Sequence, residues 1–195
     1  MSQVKEVKAI INDKGILNEI KKNNKIDIYF LKEPFGRYVD GNVVSSDIFI
    51  IKDESEVFYI SVEEHDCEEP IYELYSLKAS DEAPTINIIN TNNIKLGGEG
   101  DTLSFPHEKL EYFGTLLFNS EEGSLELYSE IGSIKDENGS IIYITEEENI
   151  LLLKNKNKIV YISCSEFTHE LTISKNIDYI NEKIINKKLV YNLSV

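Results

Sequence analysis

The residues best suited to chemistry in this sequence are two pairs of cysteine and histidine. His65 and Cys67 form one pair, and Cys164 and His169 form the other. Thiolate and imidazole groups are the usual ligands of tetrahedral zinc, so a fold that joined the two pairs could hold a zinc ion. The spacing within each pair matches no familiar zinc motif, and Cys164 continues an apolar segment, which favours a small buried thiol. We therefore predict no metal and no cofactor, with the zinc site as the alternative.

The sequence contains none of the common signatures of catalysis or cofactor binding. There is no nucleophile elbow, no Walker motif and no Rossmann fingerprint. The Gly-rich segment 97–101 is acidic and no Gly-Lys-Ser/Thr follows it, so it suits a linker better than a phosphate loop. We predict that the protein is not an enzyme. The alternative is an acid/base pair, concealed among 35 acidic residues, that only the fold assembles.

The charge of the chain narrows the range of its partners. The 195 residues include 35 acidic and 20 basic ones, which gives a formal net charge of −15. Such a field repels a phosphate backbone unless basic residues cluster locally, and it suits a basic protein partner. No apolar run approaches the ~20 residues of a membrane span, and the N-terminus has no secretory h-region. We expect a cytoplasmic protein with reduced thiols and no membrane contact.

A β-hairpin pattern occurs twice and organises the rest of the sequence. Residues 47–62 and 149–164 each contain two apolar segments joined by a polar turn, and they align without a gap. Convergence could produce the same likeness, because apolar hairpins in an Ile- and Lys-rich chain are similar. The identical residues are Ile48, Lys52, Tyr59, Ile60 and Ser61, which match Ile150, Lys154, Tyr161, Ile162 and Ser163.

The match extends upstream of the hairpins, which favours duplication over convergence. Residues 26–29 align with 125–128, and residues 40–44 align with 138–142. Each half then has an alternating strand, a Gly turn, a second strand and the hairpin, and a repeat of this size indicates duplicated domains and not a solenoid. The predicted units are a first domain at 1–96, a Gly-rich linker at 97–103 and a second domain at 104–195.

Hydropathy patterns outside the hairpins predict the remaining elements. Apolar spacing predicts a helix near each terminus, at about 3–23 with a break at 13–15, and at 176–188. The acidic run from Glu146 to Glu148 is expected to be a solvated turn that leads into the second hairpin. The other expected strands are 25–31, 37–45, 71–75, 86–89, 124–129, 140–145, 170–174 and 189–193, and the segment 113–118 fits either a helix or a strand.

The two hairpin turns carry opposite charges. Glu54 and Glu56 lie in the first turn, and Lys156 and Lys158 occupy the equivalent places in the second. These charges could help the two halves, or two copies of the chain, to associate in one register. Independent drift at exposed turn tips is the alternative, because exposed ion pairs typically contribute under ~1 kcal/mol.

Segments of the first half match those of a known family in order and spacing. A helical segment at 16–22 leads into a strand pattern at 26–31, and the segment 41–50 follows with a Gly, a Ser, an Asp and an aromatic residue. With the further strand pattern at 57–59, these residues resemble Hfq, the bacterial Sm-like family. The resemblance implies a small, strongly bent antiparallel barrel that often assembles edge to edge into rings. Through the duplication it extends to residues 125–170.

The resemblance also implies a base-stacking pocket. Asp47 and Phe49 match family positions, and Tyr59 and Tyr161 lie in the fourth-strand segments of the two halves. Aromatic side chains of this kind stack unpaired bases. Phe49 could equally be an aromatic residue of the barrel core. The candidate ligand-binding residues are thus Asp47, Phe49, Tyr59 and Tyr161.

Both halves depart from the family at the residues that bind RNA. In Hfq a Lys-His pair follows the Tyr of the fourth strand and lines the uridine-binding pore. Here Tyr59 is followed by Ile60, and Tyr161 is followed by Ile162. The resemblance therefore supports the fold more strongly than it supports RNA binding.

These observations together predict a mainly β (α+β) protein. Its expected architecture is two duplicated Sm-like or SH3-like antiparallel barrels with an N-terminal and a C-terminal helix. The predicted function is that of a non-enzymatic acidic binding protein, of the inhibitor or immunity type, whose partner is another protein with a basic surface. The alternative is an Sm-like protein that binds RNA or a small nucleotide through aromatic stacking. An oligomer is compatible with either function.

Overall fold

The structure is a computed structural model of the chain. Its described residues are 4–22, 25–32, 36–52, 56–68, 70–71, 73–81, 85–88, 94–97, 110–118, 123–164 and 170–194.

An eight-stranded sheet contains most of the second half of the chain together with three strands from the first half. The strand order is β15-β11-β12-β13-β14-β4-β3, and β1 pairs in parallel with β12 beside this row. The strands are β1 (Lys5–Ala9), β3 (Arg37–Val39), β4 (Asn42–Ser45), β11 (Ser124–Lys135), β12 (Ile141–Lys154), β13 (Ile159–Cys164), β14 (Leu171–Ser174) and β15 (Lys188–Ser194).

A five-stranded antiparallel sheet contains most of the first half. Its order is β10-β2-β5-β6-β7, and β8 and β9 form a separate two-stranded sheet. The strands are β2 (Lys25–Leu31), β5 (Ile48–Lys52), β6 (Glu56–Asp66), β7 (Glu73–Ser80), β8 (Thr85–Ile88), β9 (Ile94–Gly97) and β10 (Leu110–Leu117). The helices are α1 (Lys14–Lys21) and α2 (Ile177–Ile184). The prediction of a mainly β fold is confirmed.

The two sheets share one order of strand pairing. In the five-stranded sheet the order β10-β2-β5-β6-β7 is followed, and the first five strands of the larger sheet run β15-β11-β12-β13-β14. In the larger sheet the final strand β15 pairs with β11, and in the five-stranded sheet β10, from the second half, takes the corresponding place beside β2. Both sheets are open, since their terminal strands are not paired with each other in the described part of the chain.

The two hairpins differ in register by one residue. In the first hairpin Ile60 lies opposite Ile48, whereas in the second Ile162 lies opposite Leu151. Three residues separate β5 from β6, but four separate β12 from β13, so the longer turn shifts the first strand of the second hairpin. The gapless sequence alignment of 47–52 with 149–154 therefore differs by one residue from the alignment that the strand pairing gives.

The core of the protein is shared between the two halves. The largest cluster of buried apolar side chains contains Ile28 and Ile60 from the first half and Leu127 and Ile162 from the second. Three strand pairs, β1 with β12, β10 with β2 and β14 with β4, join residues on opposite sides of the predicted linker at 97–103. Of that linker, only Gly97 lies within the described residues. The division into 1–96 and 104–195 stays a prediction.

The N-terminal segment is a strand followed by a short helix, so the prediction of one helix over 3–23 is wrong for its first part. Residues 5–9 lie beside β12, and the backbone pairing outweighs their weak helical spacing. The helix α1 begins after Asp13, whose carboxylate accepts a hydrogen bond from the Gly15 N–H at 2.6 Å. That side chain is a favourable N-cap, and it explains why helical structure starts there.

The predictions for the C-terminal segment are confirmed in outline. Asn176 caps α2 by accepting hydrogen bonds from the N–H groups of Asp178 and Tyr179. Ile180 of this helix packs on the outer face of the larger sheet against Leu152 and other apolar side chains. The final strand β15 then pairs with β11.

Candidate binding cleft

Three consecutive glutamates are buried in the middle of β12. Glu146, Glu147 and Glu148 are 7%, 9% and 4% exposed, so the prediction of a solvated turn at these residues is wrong. The strand runs without a break from Ile141 to Lys154, and this segment contains neither glycine nor proline. Burial of a carboxylate is costly unless it is paired or hydrogen-bonded, so the partners of these three residues decide what they do.

Glu146 is paired with lysines from two other strands. Its carboxylate lies 2.6 Å from the Lys188 ammonium and 3.0 Å from the Lys8 ammonium, and it accepts a hydrogen bond from the Ser129 hydroxyl at 3.0 Å. These donors, with Lys188 contributing most, lower the pKa of Glu146 to about 2. The carboxylate is therefore charged at neutral pH, and it fastens β1 and β15 to the central part of the sheet.

Glu148 connects β12 to the segment between β1 and α1. Its carboxylate accepts a hydrogen bond from the Ile11 N–H at 2.9 Å and lies 2.6 Å from the Lys14 ammonium. The N–H of Ile11 follows the end of β1, so the side chain satisfies a backbone donor that the sheet no longer pairs. Glu146 and Glu148 thus have structural roles.

Glu147 lines an open cleft between β7 and the strands β11 and β12. The cleft has a volume of about 510 Å³. Its lining residues are Ile71, Glu73, Leu74, Tyr75, Glu130, Ile131, Gly132, Ser133, Ile134, Thr145 and Glu147. These include three carboxylates, whereas no lysine or arginine is among the described residues that line the cleft. We call this feature the acidic cleft.

Gly132 allows the two long strands to approach closely on one wall of the acidic cleft. It lies opposite Thr145 in the pairing of β11 with β12. A Cβ atom at this position would lie 2.4 Å from the Thr145 hydroxyl oxygen, a distance that would push the threonine side chain aside. Glycine therefore keeps the Thr145 side chain in place at the cleft surface.

The carboxylates of the acidic cleft act together on Tyr75. The Tyr75 hydroxyl donates a hydrogen bond to Glu73 at 2.6 Å, and the Tyr75 N–H donates to Glu147 at 2.9 Å. The hydrogen bond to Glu73, followed by burial and by the negative charges of Glu73, Glu64 and Glu147, raises the pKa of Tyr75 to about 12. The contributions of the three negative charges, which are smaller than those of the hydrogen bond and of burial, have the sign that would attract a cationic group to the cleft.

Glu130 lies directly beside Glu147 in the pairing of β11 with β12 and is partly neutralised. Its carboxylate pairs with Lys187 and accepts a hydrogen bond from the Asn149 side-chain amide at 3.4 Å. The amide oxygen of Asn149 is buried and has no hydrogen-bond partner among the described residues. The pairing with Lys187 therefore reduces the negative charge that Glu130 adds to the cleft.

The outer edge of β7 is capped by side chains. The amide of Asn12 accepts a hydrogen bond from the Ala79 N–H and donates one to the Ala79 carbonyl, both at 2.9 Å. Glu147 caps the Tyr75 N–H on the same edge. Capped backbone groups cannot recruit a strand from another chain, so these residues protect an edge of the five-stranded sheet.

Replacement of Asn12 by alanine is expected to destabilise the fold by about 1–3 kcal/mol. Both backbone groups of Ala79 would lose their partner, and an unsatisfied buried group costs about that much. Urea unfolding followed by circular dichroism measures the change. Asn186→Ala is the matched control, because Asn186 is exposed in the turn after α2. Equal stability of the two variants would contradict the capping role.

Three of the four predicted stacking residues lie together, with the ring of Phe49 buried and that of Tyr59 half-buried. The Tyr59 hydroxyl donates a hydrogen bond to the Asp47 carboxylate, and the Phe49 and Tyr59 ring centroids are 5.6 Å apart. Phe49 is only 2% exposed, in a cluster with Leu31, Ile51 and Leu110. Burial, with a smaller contribution from Asp47, raises the pKa of Tyr59.

Tyr161 lies in a different cluster from the other three predicted residues. It is 3% exposed, and the ring of Tyr179 from α2 lies edge-on to it with a centroid distance of 5.8 Å. The hairpin pattern predicts where Tyr161 is in the strand, but it does not predict that α2 covers its ring.

The cysteines and histidines of the zinc alternative have other surroundings. His65 shares a hydrogen bond of 2.8 Å with the Ser76 hydroxyl, and the Cys67 thiol donates to the His65 carbonyl at 3.4 Å. Cys164 lies in the shared core, and His169 lies outside the described residues. Within the described part of the chain, no three His, Cys, Asp or Glu side chains are grouped so that they could hold a metal ion.

The sequence contained a usable signal for the buried glutamates. The apolar segments 141–144 and 150–153 flank them with no glycine or proline between, which is the pattern of one long strand interrupted by polar residues. The lining of the acidic cleft had no such signal, because β7 and β12 are far apart in sequence.

Comparison of the chain with protein-family models, with curated proteins and with solved structures gave no match. Neither α1 nor α2, the helices of the described residues, is long and apolar enough to cross a membrane.

Proposed function

We propose that the chain is a non-enzymatic acidic binding protein that receives a basic segment of another protein in the acidic cleft. The observation that carries the proposal is the set of three carboxylates on a cleft whose described lining residues include no cation. A lysine or arginine side chain of a partner would supply the missing positive charge. The cleft is also large enough for such a side chain, at about 510 Å³.

The electrostatics of the cleft support a cationic ligand over an anionic one. The net charge of −15 gives the whole molecule a negative field, and the carboxylates of Glu73, Glu130 and Glu147 place charges of the same sign at the cleft. Complementary charge of this kind increases the rate of association and suppresses acidic competitors. The apolar residues Ile71, Leu74 and Ile131 supply contact area beside the carboxylates.

The alternative function, binding of RNA or a nucleotide by stacking, has less support. Phe49 and Tyr161 are almost completely buried, so neither presents a ring face to a base. Stacking requires an accessible face. The net charge adds repulsion of phosphate groups.

We further propose that the two halves arose by duplication of one Sm-like module. The shared strand order of the two sheets supports this origin, as does the matched hairpin sequence. In this view the modules have exchanged strands, and the cleft is a feature that neither module had alone. Fold likeness of this kind does not determine a ligand, so the binding function rests on the cleft.

A labelled oligolysine peptide tests the proposed function. At an ionic strength of about 0.01 M the wild-type chain is expected to bind it, and binding should weaken strongly at about 0.15 M, where the Debye length falls from ~30 Å to ~8 Å. The double variant Glu73→Gln/Glu147→Gln should bind about 5- to 30-fold more weakly, because each lost charge is worth roughly 0.5–1 kcal/mol. Fluorescence anisotropy measures both effects.

The control variant removes one charge far from the acidic cleft. The control is Glu56→Gln. Glu56 lies at the start of β6, ten residues from Asp66, and Asp66 pairs with Glu73 of the cleft. At ~3.3 Å per residue that distance is about 33 Å. Glu56→Gln should bind the peptide almost as the wild type does. Binding that is unaffected by the double variant, or equally reduced by Glu56→Gln, would mean that the cleft is not the site.

A further inference from the structure

A second cleft lies at the opposite edge of the five-stranded sheet from the acidic cleft. It is formed by β10, β13 and the start of α2. It has a volume of about 220 Å³. Its lining residues are Gly114, Thr115, Asn157, Lys158, Ile159, Val160, Lys175 and Ile177. Two cations and no carboxylate are among these residues, in a protein whose net charge is −15. We call this feature the two-lysine cleft.

Both ammonium groups are anchored to the outer edge of β10. Lys158 donates a hydrogen bond to the Thr115 carbonyl at 3.2 Å, and Lys175 donates to the Phe113 carbonyl. The Lys175 ammonium also lies 4.0 Å from the centroid of the Phe113 ring. The two carbonyls belong to residues two apart on β10, so both ammonium groups lie along the same strand.

Capping of the strand edge does not by itself require positive charge. On the same edge the neutral amide of Asn155 donates to the Leu117 carbonyl at 3.0 Å. An ammonium group has three N–H donors, and each lysine uses one of them for its carbonyl. The remaining donors, and both charges, are in excess of what edge protection needs.

Neither lysine has a counter-ion among the described residues. No described carboxylate lies within ion-pair distance of Lys158 or Lys175, and the nearest strand carboxylate, Asp27, is held by Lys25 and by the Thr115 hydroxyl. Burial, and to a smaller extent the charge of Lys158, lowers the pKa of Lys175. Both lysine side chains are exposed and their charges are hydrated, and an anion in the cleft would accept hydrogen bonds from both ammonium groups.

Gly114 leaves the space that Lys175 occupies. A Cβ atom on Gly114 would lie 2.7 Å from the Lys175 ammonium nitrogen and 3.1 Å from its neighbouring carbon. Any other residue at this position would displace the end of the lysine side chain. The backbone of β10 is therefore shaped to hold this ammonium group at the cleft.

We propose that the two-lysine cleft binds a small aliphatic carboxylate, whose oxygens accept hydrogen bonds from Lys158 and Lys175. The half-buried Ile159 and the exposed Ile177 would contact the hydrocarbon part on the surface of the cleft. A singly charged carboxylate fits this site better than a phosphate dianion, because the net negative charge of the protein opposes a second negative charge on the ligand. This site is independent of the acidic cleft and of the proposed partner.

Titration of the full-length, isotopically labelled chain with sodium butyrate tests the proposal. The amide signal of Gly114 should shift along a saturable curve, whereas sodium chloride at the same ionic strength should leave it unchanged. Lys158→Gln and Lys175→Gln should each weaken binding by about tenfold or more, since a charge-assisted hydrogen bond is lost. Glutamine keeps an amide donor for the strand edge, as Asn155 does at Leu117.

Two further variants separate the site from a general effect of charge. Lys183→Gln removes the same charge from α2, where Lys183 lies over the Tyr179 ring and outside the cleft, and should bind butyrate normally. Gly114→Ala should weaken binding while both lysines are retained. Three results would overturn the proposal: no saturable shift, an equal loss in Lys183→Gln, or tighter saturation of the same signal by inorganic phosphate than by butyrate.

Discussion

Residues 1–96 and 104–195, when expressed separately, are expected to give two chains that do not fold. Each half supplies strands to the sheet of the other, since β10 pairs with β2, β14 with β4 and β1 with β12. Separation would expose the large apolar cluster that both halves share. Each Å² of apolar surface that becomes exposed costs about 25 cal/mol. Summed over the shared cluster, this cost exceeds the free energy of unfolding of a marginally stable protein. Circular dichroism and amide proton dispersion measure the outcome.

Co-expression of the two fragments provides the control for this experiment. A mixture of both should recover the native spectrum, because the strand pairs that cross the linker form between the fragments. The full chain should then unfold in one cooperative transition. Independent folding of either fragment, or two separate transitions in the full chain, would show that the halves are separate domains.

Replacement of Glu146 by glutamine is expected to destabilise the protein by about 2 kcal/mol at neutral pH. The carboxylate holds Lys8 and Lys188, which are about half exposed, so the cost is below the ~3–5 kcal/mol of a pair in a dry interior. The lysines lower the pKa of Glu146 to about 2 from an ordinary value of 4.5. The stabilisation is therefore complete above about pH 4.5 and is lost as the pH falls through about 2.

Urea unfolding at several pH values measures this dependence. The wild type should lose stability relative to Glu146→Gln as the pH falls from about 4.5 towards 2, until the two proteins differ little. The control is Glu137→Gln, in the exposed turn between β11 and β12, which should stay within about 0.5 kcal/mol of the wild type. A stability difference that does not change with pH would exclude the ion pairs as its source.

Local sequence patterns correctly predicted the elements that pack against segments close to them in sequence. The apolar alternation in 47–62 and 149–164 predicts two hairpins, and both form, because each strand pairs with the next one along the chain. The spacing of Ile177, Ile180 and Ile184 likewise predicts α2, since one face of that helix packs on a sheet. In these segments local preference and tertiary packing agree.

Distant contacts decided the parts that the sequence did not reveal. Residues 5–9 form a strand because β12 offers them an unpaired edge, and nothing near them in sequence shows that edge. Glu146 is buried because lysines from β1 and β15 reach it. The acidic cleft lies where strands of the two halves meet, and the two-lysine cleft lies where β10, β13 and the start of α2 meet, so the lining residues of each cleft come from separate segments of the chain.

The parallel pairing of β1 with β12 has a consequence for synthesis on the ribosome. Lys5 leaves the exit tunnel about 140 residues before its partner Tyr143, and at ~5–20 residues per second that interval lasts roughly 7–28 seconds. During this time β2 also lacks β10, so apolar strand edges of the nascent chain are exposed. The chain should therefore fold only after nearly all of it has been translated, and it should depend on nascent-chain chaperones more than a protein with local strand pairing does.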